Sequence, residues 1–206
     1  MTFAPLLLEQ IDQQRAQGGF YALTELIELC RAENQILDPF STLISRSVAV
    51  GTGNRFYPNV LIEAAGAGRI QIGDRNLFYP GTVIIAGAGV IRIGSGNQFG
   101  EGGVSLRADG PADRLIIADE GRYMHGAQIS GSNQLGAGSQ VLGPIIVRGC
   151  ELGGGGGHRE PDPDLRGGVL KGAGLASGLA VGQGEVINGR AAFAMAMLER
   201  QRAYHP

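Results

Sequence analysis

A large aliphatic or aromatic residue returns at every sixth position through the middle of this chain, and few backbones tolerate such a period. The series runs Val50, Phe56, Ile62; Ile72, Phe78, Ile84; then Ile93 and Phe99 with Ser105 in third place. It continues as Ile117, Tyr123, Ile129; Leu135, Val141, Val147; Val169, Leu175, Val181; and a last start at Ile187. A period of six fits neither a helix nor simple alternation. It suits short flat strands separated by sharp corners, each strand turning one large side chain inward. Three hexads then close one turn of a three-sided coil, and about six turns stacked ~4.8 Å apart make a prism roughly 30 Å tall. On this register four extra residues precede Ile72, three precede Ile93, six precede Ile117, none precede Leu135 and sixteen precede Val169. Every insertion is thereby assigned to one corner, after the third hexad.

The expected fold class is an all-β solenoid with helical caps. Phe56, Phe78, Phe99 and Tyr123 share one register position and are expected to stack as an internal aromatic column. Asn54, Asn76 and Asn97 share another position, before a corner, where side-chain amides can form a ladder. The 36 glycines lack a collagen period and accompany 43% hydrophobic residues, so they read as turn residues of a folded chain. Both ends of a solenoid expose unpaired strand groups and need covers. Residues 1–40 are expected to form an N-terminal cap of two amphipathic helices, 3–17 and 20–34. Their apolar faces would carry Leu7, Leu8 and Ile11 on one helix and Leu23, Leu26, Ile27 and Cys30 on the other. The repeats span 48–189 with an inserted loop at 153–168, and 190–206 is expected to close the far end as a C-terminal helix.

A net charge of −2 with interspersed signs shows no basic face for nucleic acid, and no apolar run is long enough to span a membrane. A soluble cytoplasmic protein is the expectation. Cys30 and Cys150 lack metal-site spacing and read as small buried side chains.

The stretch "GGGGGHREPDPDLRG", 153–167, breaks the pattern. A large polar insertion on a regular scaffold is where chemistry is expected. Among the three histidines, His158 follows a glycine run whose N–H groups could hold an oxyanion, and it precedes Glu160, Asp162 and Asp164, which could orient it. His125 is the rival candidate, beside Tyr123 on a coil side; His205 falls in the tail.

Hexads such as "LGAGSQ" at 135–140 and "VGQGEV" at 181–186 resemble the hexapeptide-repeat proteins, left-handed parallel β-helices that are commonly homotrimers. The run His158, Asp162-Pro163, Arg166 is similar to the active-site loop of sugar O-acetyltransferases of the maltose and galactoside type, with one extra residue between His and Asp-Pro. The chain carries "VINGRAAF" where that family has a Gly-Asn-Pro-Ala-Lys/Arg type ending. The resemblance implies His158 as catalytic base, Asp162 and Arg166 at the acceptor site, and acetyl-CoA or another acyl-CoA as co-substrate rather than a tightly bound cofactor; Glu160, an acid of the same loop, is added to the expected substrate-binding residues. The expected function is acyl transfer to a hydroxyl or amine of a small molecule at a trimer interface. A non-catalytic trimeric scaffold or ligand-binding protein is the alternative. A γ-carbonic-anhydrase-like zinc protein ranks third, because the paired histidines of that class are missing.

Overall fold

The computed structural model describes residues 3–204. From Gln35 the chain winds as a parallel β-solenoid whose strands stack in three columns, here called faces A, B and C. Face A holds Gln35–Ile36, Arg55–Phe56, Leu77–Phe78, Gln98–Gly100, Arg122–Met124 and Gln140–Leu142, each hydrogen-bonded in parallel to the next. It continues into the first half of Val169–Ser177 and into Glu185–Ala192. Face B starts at Leu43–Ile44, and face C, a ladder of seven strands, at Ala49–Val50. The solenoid therefore begins at Gln35, two strands before the hexad series becomes visible at Val50.

Inward side chains fill the interior, a single large one on face A strands such as Arg55–Phe56 and two on face C strands such as Arg69–Ile72, where Ile70 and Ile72 are both buried. Phe56, Phe78, Phe99 and Tyr123 are completely buried and stack in sequence, with ring centroids 4.9, 5.2 and 5.3 Å apart and nearly parallel planes. Parallel in-register strands lie ~4.8 Å apart, so identical side chains are brought to stacking distance by the backbone itself. The asparagine ladder is present and longer than expected. Asn34 Oδ1 accepts from the Asn54 backbone N–H at 2.8 Å, Asn54 from that of Asn76 at 2.9 Å, and Asn76 from that of Asn97 at 2.9 Å. The ladder ends where Asn97 Oδ1 accepts from Gly121 N–H at 2.7 Å. A side chain on Gly121 would collide with the Tyr123 ring, whose hydroxyl instead meets Ser139 Oγ at 3.0 Å in the next coil. Burial pushes the Tyr123 pKa far above the ordinary phenol value.

The strict six-residue register fails at two corners. Leu106, not Ser105, is the buried partner of Ile84 and Ile129, because the corner Gly100–Gly103 holds an extra residue with positive φ throughout. Past Val147 the corner is one residue shorter: Leu152 lies against Leu135, five residues on, with Gly149 at φ +59° making the tight turn. Leu170 and Ala176 then point inward, whereas Val169 and Leu175 point out. The long insertion consequently sits between faces C and A, a different corner from the one that absorbs the earlier insertions.

The N-terminal cap consists of α1 (Phe3–Gln17) and α2 (Leu23–Arg31). Leu26 is buried, but Leu7, Leu8, Ile27 and Cys30 are exposed, so the expected apolar faces are only partly covered. Arg15 takes over part of the anchoring, donating from Nε to the Tyr21 carbonyl at 2.8 Å and from Nη2 to the Thr42 carbonyl at 2.7 Å. The expected C-terminal helix is not formed. Phe193 folds over Gly189, and Leu198–Arg200 pairs antiparallel with Glu185–Ile187 before a 3-10 turn at Gln201–Tyr204. An open strand edge offers backbone hydrogen bonds that outweigh the helical propensity of this Ala-, Met- and Leu-containing stretch. His205 lies outside the described residues. No helix among the described residues is long and apolar enough to cross a membrane.

Candidate functional site

The loop 153–168 does not project as a mobile arm; it folds back against the corners of the preceding coils. Gly155 N–H donates to the Ala137 carbonyl at 2.9 Å, Gly156 N–H to the Leu165 carbonyl at 2.8 Å and Gly167 N–H to the Gly156 carbonyl at 3.0 Å. A 3-10 turn at Pro163–Leu165 is capped by Asp162, whose carboxylate accepts from Asp164 N–H at 3.0 Å. The glycine run is explained by close approach. A Cβ on Gly155 would press against the Arg166 backbone at 2.5 Å, and one on Gly156 against the Glu160 side chain at 2.7 Å. Neither residue has a positive φ among the backbone exceptions, so glycine is required here for space and not for conformation. Three of the five N–H groups expected to be free for an oxyanion, those of Gly153, Gly155 and Gly156, are already engaged.

The C-terminal turn locks the loop from the other side. Gln201 is buried and donates to the Gly167 carbonyl at 2.7 Å. Arg202 donates to Asp164 at 2.8 Å and also pairs with Asp162, and Arg200 approaches Asp164 at 3.3 Å. These arginines hold the Asp164 carboxyl below the usual carboxylate range, the Arg202 hydrogen bond contributing most. None of the three acids expected to orient His158 hydrogen-bonds to it. Asp162 and Asp164 serve the loop-to-tail contact, and Glu160 accepts from Asp162 N–H at 3.2 Å. Asp162 and Glu160 do not line the groove beside the loop, which Arg166 does; their own contacts are within the loop and with the tail.

That groove lies on the outer side of face A and has a volume of about 230 Å³. Val169, Val186 and Leu142 supply apolar lining, with His158 and Arg166 from the loop, Arg122 and Lys171 from the coils, and Gln140, Gln201 and Tyr204 completing it. Arg122, Gln140, Val169 and Val186 occupy one outward column on four successive strands. Arg166 is fixed by its Nε donating to the Glu160 carbonyl at 2.7 Å. His158 is half-buried at the edge, and its far side faces a second depression lined by Glu120, Gln98, Gly96 and Arg159. Burial lowers the imidazole pKa, and Arg122, Arg159 and Arg166 lower it further, against an opposing effect of Glu120. The ring is thus held neutral at pH 7, with a nitrogen lone pair available to accept a proton.

His125 is exposed, at a corner rather than on a coil side, with φ +60°, and does not line the groove. Sequence reasoning picked out His158 and Arg166 but missed Arg122, Lys171, Gln140 and Glu120. Arg122 and Gln140 each precede a residue that the six-residue register turns inward, but no local motif marks them, and Lys171 follows Leu170, which that register does not place inward. Among the described residues no three His, Cys, Asp or Glu side chains gather to hold a metal ion. No family model matches the chain, and no curated protein does.

Proposed function

We propose that this protein is an acyl-CoA-dependent acyltransferase that moves an acetyl or similar acyl group to a hydroxyl or amine of a small molecule, working as a homotrimer in the cytoplasm. One observation carries the reading: a histidine held neutral by burial and three arginines stands at the wall of a groove with apolar lining, on an ordered loop. His158 would take the proton of the acceptor hydroxyl or amine as that atom attacks the thioester carbonyl. The C–S bond then breaks, and the imidazolium returns its proton to the departing thiolate, leaving acylated product and free thiol. General-base action of this kind supplies ~10²–10⁴ in rate, and fixed placement of the two substrates supplies more. Gly154 and Gly157 are the loop glycines whose N–H groups have no internal acceptor among the described residues, so the oxyanion role narrows to them.

A second reading, a non-catalytic ligand-binding protein, draws on a specific observation: among the described residues no carboxylate hydrogen-bonds to His158, so none of them fixes its tautomer in the way an acid partner would. The deciding experiment follows thiol release from acetyl-CoA with sugar, amine and hydroxyl acceptors, comparing wild type with His158→Ala and His125→Ala. Acyl transfer predicts a fall of roughly 10²-fold or more for His158→Ala alone. Loss in His125→Ala, or absence of both turnover and coenzyme A binding, moves the function away from this site.

A further inference from the structure

We infer that the groove beside the loop is a binding site for a compact anionic group, a carboxylate or phosphate carried by a small molecule, gripped by Arg122, Arg166 and Lys171. The three cations and His158 converge on one groove, and among the described residues no carboxylate lines it. Arg122 is the strongest indication. Its Nε is shut off from water without an acceptor, and its Nη2 reaches only the Met124 thioether sulfur at 3.4 Å. A guanidinium left without an internal carboxylate is costly, and an anion in the groove that Arg122 lines offsets its charge from the groove side, while the enclosed Nε stays out of the anion's reach.

The distribution of acids around the loop points the same way. Asp162 and Asp164 neutralise Arg200 and Arg202 on the loop's outer side. Glu120 lies beyond His158, in the adjoining depression. The groove cations are thus left without protein carboxylates while neighbouring arginines have them. Arg166 is braced at its Nε by the Glu160 carbonyl, which presents the rest of the guanidinium in a fixed orientation. Val169, Val186 and Leu142 between the cations suit a short carbon skeleton bearing the anion. A bound anion would also offset the arginines that hold His158 neutral, coupling ligand charge to the base. Assigning the anion to the acyl acceptor rests on the acyl-transfer reading; the anion site itself does not.

The test is binding, independent of turnover. Inorganic phosphate and succinate are titrated calorimetrically into wild type, Arg122→Gln and Lys171→Gln, with the His158 ring followed by NMR across pH. Glutamine fits the Arg122 position, because Gln98 and Gln140 already occupy that column on the strands either side. The expected result is saturable binding of one anion per chain, weakened about tenfold or more by Arg122→Gln and less by the exposed Lys171→Gln, with the His158 pKa rising on saturation. No saturable binding to wild type, or binding that both variants leave unchanged, overturns the site. Coenzyme A added to the phosphate-saturated protein separates the sources: phosphate that stays bound belongs to the acceptor position, and phosphate that is displaced overturns that assignment in favour of the donor.

Discussion

The first four coils and the later ones are built on the same backbone repeat but treat one column in opposite ways. In the first, the position before each face A strand is Asn34, Asn54, Asn76 and Asn97, a continuous chain of buried amides. In the second, the same register position is Gly121, Ser139, Gly168 and Glu185, and the amides are gone. Outward residues change in parallel. Tyr57 and Tyr79 stack on the surface of the early coils at 4.9 Å, whereas the later strands present Arg122, Gln140 and Val169 to a groove. One half of the solenoid invests its sequence in identical columns that reinforce each other. The other gives up the columns, and the room this makes at the corner is filled by the loop, with Gly167 packed directly on the Ala137 and Gly138 backbone. Regularity supplies stability in the first half and a seat for a polar loop in the second.

The sharpest way to break this contrast is in the aromatic column. Phe78 lies between two stacked rings and is wholly buried, so Phe78→Ala opens a cavity and should cost ~3–5 kcal/mol in chemical denaturation. A loss below ~1 kcal/mol would mean that the column does not carry the early coils. Asn76→Ala comes next. It removes the acceptor of both Asn97 bonds, at 2.9 and 3.1 Å, and the donor to the Gly94 carbonyl at 2.9 Å. Unsatisfied buried groups of this kind put the expected loss at about 2–3 kcal/mol. The late coils should respond less to Gly155→Ala, where overpacking against Arg166 costs about 1–2 kcal/mol because the loop has somewhere to go. Its larger consequence should be functional: hydrogen exchange in 153–168 speeds up and anion affinity falls, while Phe78→Ala leaves the residual folded fraction with a normal groove.

What the sequence made legible follows the same division. The six-residue period is readable wherever corners keep their length, which is why Phe56, Phe78, Phe99 and Tyr123 could be placed together. It misleads where a corner gains or loses one residue. Taking Val169 as an inward residue put it in the core, when it is an outward wall of the groove, and placed the loop at the wrong corner. Asn34 was missed because the residues between its coil and the next do not keep the period. The C-terminal stretch AAFAMAMLERQR has helical spacing, but the free edge of Glu185–Ala192 is visible only once the coils are stacked. His158 and Arg166 stood out by composition. Arg122 and Lys171 did not, since their meeting with the loop depends on register across coils and not on any local motif.

The smallest expected effect concerns protons, and it separates the two halves without a change of packing in the early one. The folded-state pKa of His158 lies below its unfolded value, first through burial and then through Arg122, Arg159 and Arg166. The unfolded chain therefore binds the proton more readily, so stability from this group is fully present above the unfolded value, about 6.5, and falls as pH drops through the window down to the folded pKa. Wild type should lose a small amount of stability in that window that His158→Gln does not lose. The Asn76 column contains nothing that titrates there, so Asn76→Ala should shift the whole curve downward without altering its slope. Occupying the groove with phosphate should shrink the His158 difference, because the anion raises the folded pKa toward the unfolded one. Parallel pH-stability curves for wild type and His158→Gln, with and without phosphate, would show that the loop histidine is not held neutral by its surroundings, and the contrast between a structural half and a charged half would lose its electrostatic basis.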